Sequence, residues 1–419
     1  SDVCSSDLSL DRVNLGFAKL QMLSERGWSE AVYGLGAGCF FLGYVLFDIP
    51  SSLASHRWGA RWWITRILVT RGAVVIAMAW AETPTSFCAL RGLLGVAEAG
   101  LIPCLLLQLT RWFPAERRSS SSAMLLCALA VAGVVGGPFS GWVLQHLDGV
   151  GGHSGWQWLF IVGGSLSVAL GLATPLWLDD GIASARWLSA DERTALQARL
   201  GPVHASAPGL RGALGQVLAS PVVWALAFAY FCFIFGFYGI AFWLPPLLSS
   251  LGGDTGAGTG TLQLGLLSAV PYALGAVTML GMTVLADRRG QRRPFLLGAA
   301  LLGAAGLVAC GLAQGHPRLG LLALTLAACG CLGVLPLFWS VPTSLLHGAG
   351  AAAGVALINA VGNFGGFASP IVVAGITRHG ATLGAAFAVL GLTQALGAVT
   401  VWQLTQASNT DPEDGGGPE

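Results

Sequence analysis

The chain is 419 residues long, 54% hydrophobic and 10% charged, with a mean hydropathy of +0.70, against about 25% charged residues in an ordinary soluble domain. That is a membrane composition, and the net charge of +1 gives no electrostatic pointer to nucleic acid or to an acidic partner. A pore-forming barrel is excluded, because its strands alternate over about ten residues whereas the apolar runs here are long and continuous.

Eleven full runs reach the about 20 residues needed to cross a bilayer as a helix, and one partial run precedes them. In chain order they are 9–23 (partial), 31–54, 62–81, 85–109, 119–145, 156–178, 219–248, 262–286, 294–314, 317–345, 350–377 and 381–406, which makes this an all-α membrane protein. The opening SDVCSSDLSL is polar where a signal peptide would be apolar. It also leaves the first run about ten apolar residues short of a span. Residues 1–8 are therefore expected to be a foreign or artefactual leader, with the first helix truncated and Asp11 and Arg12 near one membrane interface.

Fourteen loop arginines, among them Arg57, Arg61, Arg288 and Arg293, fall on the side of the N-terminus, against Arg26, Arg318 and Arg378 on the other. The positive-inside rule then places both termini in the cytoplasm. The longest polar stretch, 179–218, divides the runs six and six; within it Ser189 and Glu192 of LSADERTALQARL have capping-box spacing, so a short amphipathic cytoplasmic helix is expected in this linker. Residues 9–178 and 219–406 form the two bundles on this reading, and 407–419 a disordered cytoplasmic tail.

Sixty glycines are more than loops require. Many lie inside runs, as in GLGAGCFFLG (34–43) and AGVVGGPFSG (132–141), where small residues let helix backbones approach in lipid; a nucleotide loop would need a preceding strand and a following GK[ST]. Nine scattered cysteines without a CxxC pair read as small apolar filler, so neither a metal site nor a cofactor is expected. The halves also echo each other. HRWGARW (56–62) corresponds to DRRGQRR (287–293) at an offset of 231 residues, and GVVGGPFSG (133–141) loosely to GNFGGFASP (362–370). Two six-helix bundles related by an internal pseudo-two-fold repeat are an architecture of secondary transporters, which bind substrate at the midplane and rock around it.

DRVNLG (11–16), FFLGYVLFDIPSSL (40–53), LLGVAEAGLIP (93–103), WFPAERR (112–118), GWQWLF (155–160), ARWLSADER (185–193) and LINAVGNFGGFASP (357–370), taken in order, resemble the anion:cation symporter branch of the major facilitator superfamily. The resemblance spans about residues 10–406. It implies a twelve-helix fold and proton-coupled uptake of an organic anion (phthalate, tartrate, hydroxyphenylacetate, a sugar acid or a similar compound) across a bacterial inner membrane. Protons and the anion are then the partners, with the chain working as a monomer.

Ionised groups inside the bilayer cost about 2.5–3.5 kcal/mol each even on a lenient scale, and therefore point to function. Within the runs they are Asp11, Arg12, Asp48, Arg71, Arg91 and Glu98. Arg91 and Glu98 are seven apart, which is two helical turns, about 10 Å along the axis and within about 20° of one face. The guanidinium of Arg91 stays charged and offers a planar fork to a carboxylate; a carboxyl such as Glu98 in a dry bundle can take up and release a proton. The resemblance gives Asp11 a proton site and Arg12 a substrate contact, while a plain salt bridge locking two helices stands as the alternative for each pair. Asp48, where the family also tends to carry a polar or acidic residue, reads as a gate or a partner for the 56–61 loop, and Arg57, Arg61, Asp287 and Arg288 of the two loop motifs as gating, with His56 replacing the acid that Asp287 retains in the second copy. Arg71 has no role beyond snorkelling or pairing with Asp48.

In the second half the candidates are neutral. Tyr238, Trp243, Tyr272, Trp339, Ser340, Asn359 and Asn363 are placed to line a cavity, and Asn359 and Asn363 share a helix face one turn apart; amides at such positions equally often bind helices to each other. An antiporter or exporter is the second transport reading, because GVVGGPFSG loosely resembles a motif of proton–drug antiporters, and a transporter-like sensor is the third. Without HExxH or GxSxG there is no sign of an intramembrane enzyme.

Overall fold

The computed structural model describes residues 2–101, 115–179, 217–251, 260–313, 316–346, 351–378 and 382–410, with a few single residues between those stretches. Twelve long helices occur among them. They are α1 (Asp2–Arg26), α2 (Glu30–Trp58), α3 (Ala60–Met78), α4 (Pro84–Glu98), α5 (Ala115–His146), α6 (Gly155–Trp177), α7 (Pro221–Leu251), α8 (Thr261–Arg289), α9 (Arg292–Leu312), α10 (Pro317–Phe338), α11 (Ala351–Arg378) and α12 (Leu383–Thr410). A short helix, Ser340–Leu345, follows α10, and the described residues contain no strand. Eight of the helices are long and apolar enough to cross a membrane.

Most helices follow the apolar runs to within a few residues. Two do not. α1 reaches back to Asp2, so Asp11 and Arg12 lie well inside it and not at its end. α4 was expected to continue to 109 but stops at Glu98, because Ala99 is extended (ψ 138°) and Gly100 takes a left-handed φ of 81°. The start of α4 is fixed by Thr83, whose hydroxyl accepts from the Ser86 amide at 3.1 Å while the Ser86 hydroxyl accepts from the Thr83 amide at 3.1 Å. In the linker the same device appears between Ser189 and Glu192. Hydrogen bonds from Ser189 hold the exposed Glu192 carboxyl below its usual range, so this cap is complete above that range and is lost as falling pH protonates Glu192. Beyond Arg193, the amphipathic helix expected in this linker falls on residues outside the described set.

The chain forms two compact units. The first comprises Ser1–Ser206, Ala241–Ala273 and Pro370–Gly380; the second comprises Ala207–Ile240, Leu274–Ser369 and Ala381–Glu419. The helices whose chain passes from one unit to the other, α7, α8 and α11, each carry proline near the crossing (Pro245 and Pro246, Pro271, Pro370), where a backbone hydrogen bond is lost and a helix bends. Each unit retains one copy of the repeated loop. Gly59 (φ 84°) closes the α2–α3 turn and Gly290 (φ 64°), 231 residues on, closes the α8–α9 turn.

Glycine contacts set the helix spacing. A Cβ on Gly95 of α4 would sit 1.9 Å from the carbonyl oxygen of Phe40 in α2, and one on Gly72 of α3 would sit 2.6 Å from that of Gly164 in α6. In the second unit a Cβ on Gly330 of α10 would come within 2.0 Å of the Gly303 nitrogen of α9. Outward-facing apolar side chains such as Leu172 and Leu312 stay exposed, as lipid-facing residues do. One chemical change should therefore give two signs. Gly95→Ala has only rigid backbone to push against and is expected to cost about 1–3 kcal/mol, whereas Gly298→Ala, with nothing within 4 Å, should stabilise α9 by about 0.5–1 kcal/mol. Thermal unfolding midpoints in detergent check both.

Candidate functional site

Two of the fully buried charges lie on α4. Arg91 is 1% exposed; its Nε donates to the Gly36 carbonyl of α2 at 3.2 Å, and its guanidinium carbon lies 5.0 Å from the centre of the Phe40 ring. Both partners are in reach because glycines let α2 and α4 touch. The Nε bond fixes the plane of the guanidinium.

Glu98, also 1% exposed, ends α4 two turns later, and its Oε2 lies 3.7 Å from Nε of Arg71 in α3, which is 0% exposed. Arg71 is thus paired with Glu98 and not with Asp48. Asp48 instead accepts from the Gly100 amide at 3.0 Å, while Ser51 Oγ donates to the Ala99 carbonyl at 2.5 Å. These contacts of α2 hold the turn that ends α4, so the Asp48 carboxylate is engaged at the break beside Glu98. Leu101, Cys104 and Leu105 beyond the break pack on Ile64, Ile67 and Leu68 of α3.

A buried cation that the sequence reading passed over is Lys19 of α1. It is 4% exposed, 2.5 Å from Glu30 Oε2, and its Nζ lies 3.4 Å from the centre of a Trp243 ring and 4.8 Å from that of Tyr33. Tyr33 Oη donates to the Phe242 carbonyl at 3.0 Å. All these residues belong to the first unit. There too, the Ser140 hydroxyl of α5 lies 2.7 Å from Asn14 Oδ1 of α1, which joins the DRVNLG and GVVGGPFSG stretches. Tyr272 packs where a Cβ on Gly133 would be 2.4 Å from its ring. Asp11 and Arg12 lie on α1, with side chains outside the described set, as is that of Arg57.

The second unit carries the other candidates. Tyr238 is buried, 5.1 Å from Phe237 between ring centres, and the Trp339 ring lies 4.9 Å from Tyr230. Asn359 and Asn363 are half-buried one turn apart on α11. Ser340 donates to the Leu337 carbonyl and lines a cleft of about 760 Å³ with Asp287, Arg292 and Arg293. At that cleft Asp287 pairs with Arg292 at 2.7 Å, and Arg288 is exposed. In the first unit, Arg61 donates to the Pro175 carbonyl at the end of α6. The buried Gln394 of α12 accepts from the Cys331 thiol at 3.0 Å and donates to the Ala300 carbonyl at 3.4 Å, a polar tie among α9, α10 and α12.

Residues 4–370 match the family model described as Major Facilitator Superfamily. The chain belongs to that superfamily. A superfamily protein of Agrobacterium vitis named as a tartrate transporter is 39% identical over 410 residues, covering 97% of this chain and 92% of its own. One of Acinetobacter baumannii named as a quinolone resistance transporter is 36% identical, covering 94% of this chain and 89% of its own. Among solved structures, a bacterial homologue of the human lysosomal transporter Spinster, inward-facing and occupied, superposes with a TM-score of 0.73 at 17% identity over 98% of this chain and 96% of its own. That likeness establishes the twelve-helix major facilitator fold. The chain is a multi-pass membrane transporter and not an enzyme.

Proposed function

We propose that this major facilitator protein imports an organic carboxylate together with protons across a bacterial inner membrane by alternating access. The observation that carries the proposal is the set of fully buried charges: Lys19, Arg71 and Arg91 against Glu98 among the described residues. Three buried cations against two carboxylates, the buried Glu98 and the half-exposed Glu30, suit an anionic cargo. Arg91, with its guanidinium plane fixed by Gly36, is the anchor for the substrate carboxylate, and Arg12 the second. Glu98 is the proton-coupling group. It sits at the C-terminal end of α4, where the helix dipole opposes an anion, and depends on Arg71 for compensation. Protonation of Glu98 releases Arg71, and deprotonation restores the pair. Asp11 is the second proton carrier.

Tyr238, Asn359 and Asn363 complete the substrate contacts from the second half, with the halves 9–178 and 219–406 moving as the two bundles. Arg57 and Arg61 in the first repeated loop and Asp287 and Arg288 in the second act in gating, with Asp48 holding the α4 break. The arginine asymmetry supports cytoplasmic termini, and the chain acts as a monomer. The tartrate transporter from A. vitis supports a hydroxycarboxylate as cargo; the quinolone resistance relative supports a second reading, export of an organic compound. Uptake of a radiolabelled panel of tartrate, sugar acids and aromatic acids into right-side-out vesicles separates them. Import of a carboxylate is expected. Transport confined to drug efflux would replace the first reading with the second.

A further inference from the structure

Lys19 is the only lysine in the sequence, against 20 arginines. That one lysine is buried in a helix, against the face of Trp243 at 3.4 Å and near Tyr33 at 4.8 Å, with Glu30 as its carboxylate partner at 2.5 Å. The Trp243 indole N–H, on the rim of the same ring, is buried and has no acceptor among the described residues. The Lys19 ammonium thus lies over the ring of an unsatisfied donor and against a carboxylate whose side chain is 43% exposed. The place is built like a carboxylate site with an internal carboxylate in it.

We infer that Lys19 and the Trp243 indole N–H form a staging site for the substrate carboxylate, which Glu30 fills in the present state and vacates when substrate arrives. The inference rests on the carboxylate-transport reading above and extends it to a second place in the first unit. Tyr33, whose ring packs edge-on to Trp243 at 5.7 Å between centres, belongs to the same cluster. The choice of lysine has a physical reason. An arginine fork holds a carboxylate by two parallel hydrogen bonds, whereas an ammonium holds it as a point charge, and a site that passes its ligand onward must release it readily. The aromatic faces keep the ammonium bound when the carboxylate is absent.

The test compares uptake of radiolabelled tartrate, or of whichever panel acid the wild type carries, by wild type, Lys19→Gln and Lys19→Arg. Lys19→Gln is expected to raise the half-saturating concentration about tenfold with the maximal rate changed less than about twofold. Lys19→Arg should keep the wild-type half-saturation but lower the maximal rate, because the fork releases more slowly. A purely structural lysine predicts the reverse for Lys19→Gln, a lowered maximal rate at unchanged half-saturation, and that result overturns the inference. The wild-type protein gives an independent readout. Lys19 carries the only side-chain amine, so its acylation by an amine-reactive reagent, followed by mass spectrometry, should slow when the carboxylate is saturating; a rate indifferent to a carboxylate that the protein does transport also overturns it. Should the wild type neither transport nor respond to any carboxylate, the proposed function itself falls, an outcome distinct from transport with an unaffected Lys19→Gln.

Discussion

Glu98→Gln is expected to abolish proton-driven accumulation of substrate while exchange of labelled for unlabelled substrate persists. Exchange needs only the loaded protein to reorient, whereas accumulation needs a group that gives up its proton on one side. The structure adds a second consequence. Arg71 and Glu98 are 0% and 1% exposed and 3.7 Å apart, so removing the carboxylate breaks a buried ion pair from one side, at a cost of about 3–5 kcal/mol. Loss of accumulation by itself would therefore not separate coupling from damage. Arg71→Met combined with Glu98→Gln removes both charges and should recover most of the lost stability, since a buried pair replaced by matching neutral groups is often neutral. Coupling should stay lost. If the double variant accumulates substrate against a gradient, Glu98 is a helix lock and not the proton carrier.

The second large effect is at Arg91. Arg91→Lys preserves the charge but loses both the planar fork and the Nε bond to Gly36 that orients it. The half-saturating concentration for exchange should rise by at least about tenfold, equivalent to about 1.4 kcal/mol. Gly36 contributes through its carbonyl, so the lysine cannot be rescued from α2. Unaltered affinity in Arg91→Lys would remove Arg91 from the substrate contacts.

Where the fold is encoded locally, the sequence is readable. Continuous apolar runs locate the helices, the glycines of the two repeated loops sit in matching left-handed turns at 59 and 290, and the Ser189–Glu192 cap forms as its spacing predicts. The buried positions of Arg91 and Glu98 follow from charge in an apolar run. The partners did not follow, because they are set by helix packing across long separations: Arg71 meets Glu98 from a neighbouring helix, and Lys19 meets Trp243 from more than 200 residues away. Pairing with Asp48 is one of two alternatives that the sequence leaves for Arg71; the amide of Gly100 takes that carboxylate instead. The break in α4 had a local signal. Gly100 followed by Pro103 is a helix stop, obscured by the apolar residues on either side. Lys19 had a signal too, as the one lysine of the chain, but a count over all 419 residues is needed to see it.

The most direct test of coupled import is proton movement driven by substrate alone. Purified protein is placed in liposomes holding a pH-sensitive dye, with equal pH inside and out and no membrane potential, and a transported carboxylate such as tartrate is added outside. The account predicts acidification of the interior that follows the substrate inward, is lost in Glu98→Gln and is abolished by a protonophore. An interior that turns alkaline would show exchange of protons against the anion, and an interior that holds its pH while labelled substrate enters would show uptake without protons; either result contradicts the account.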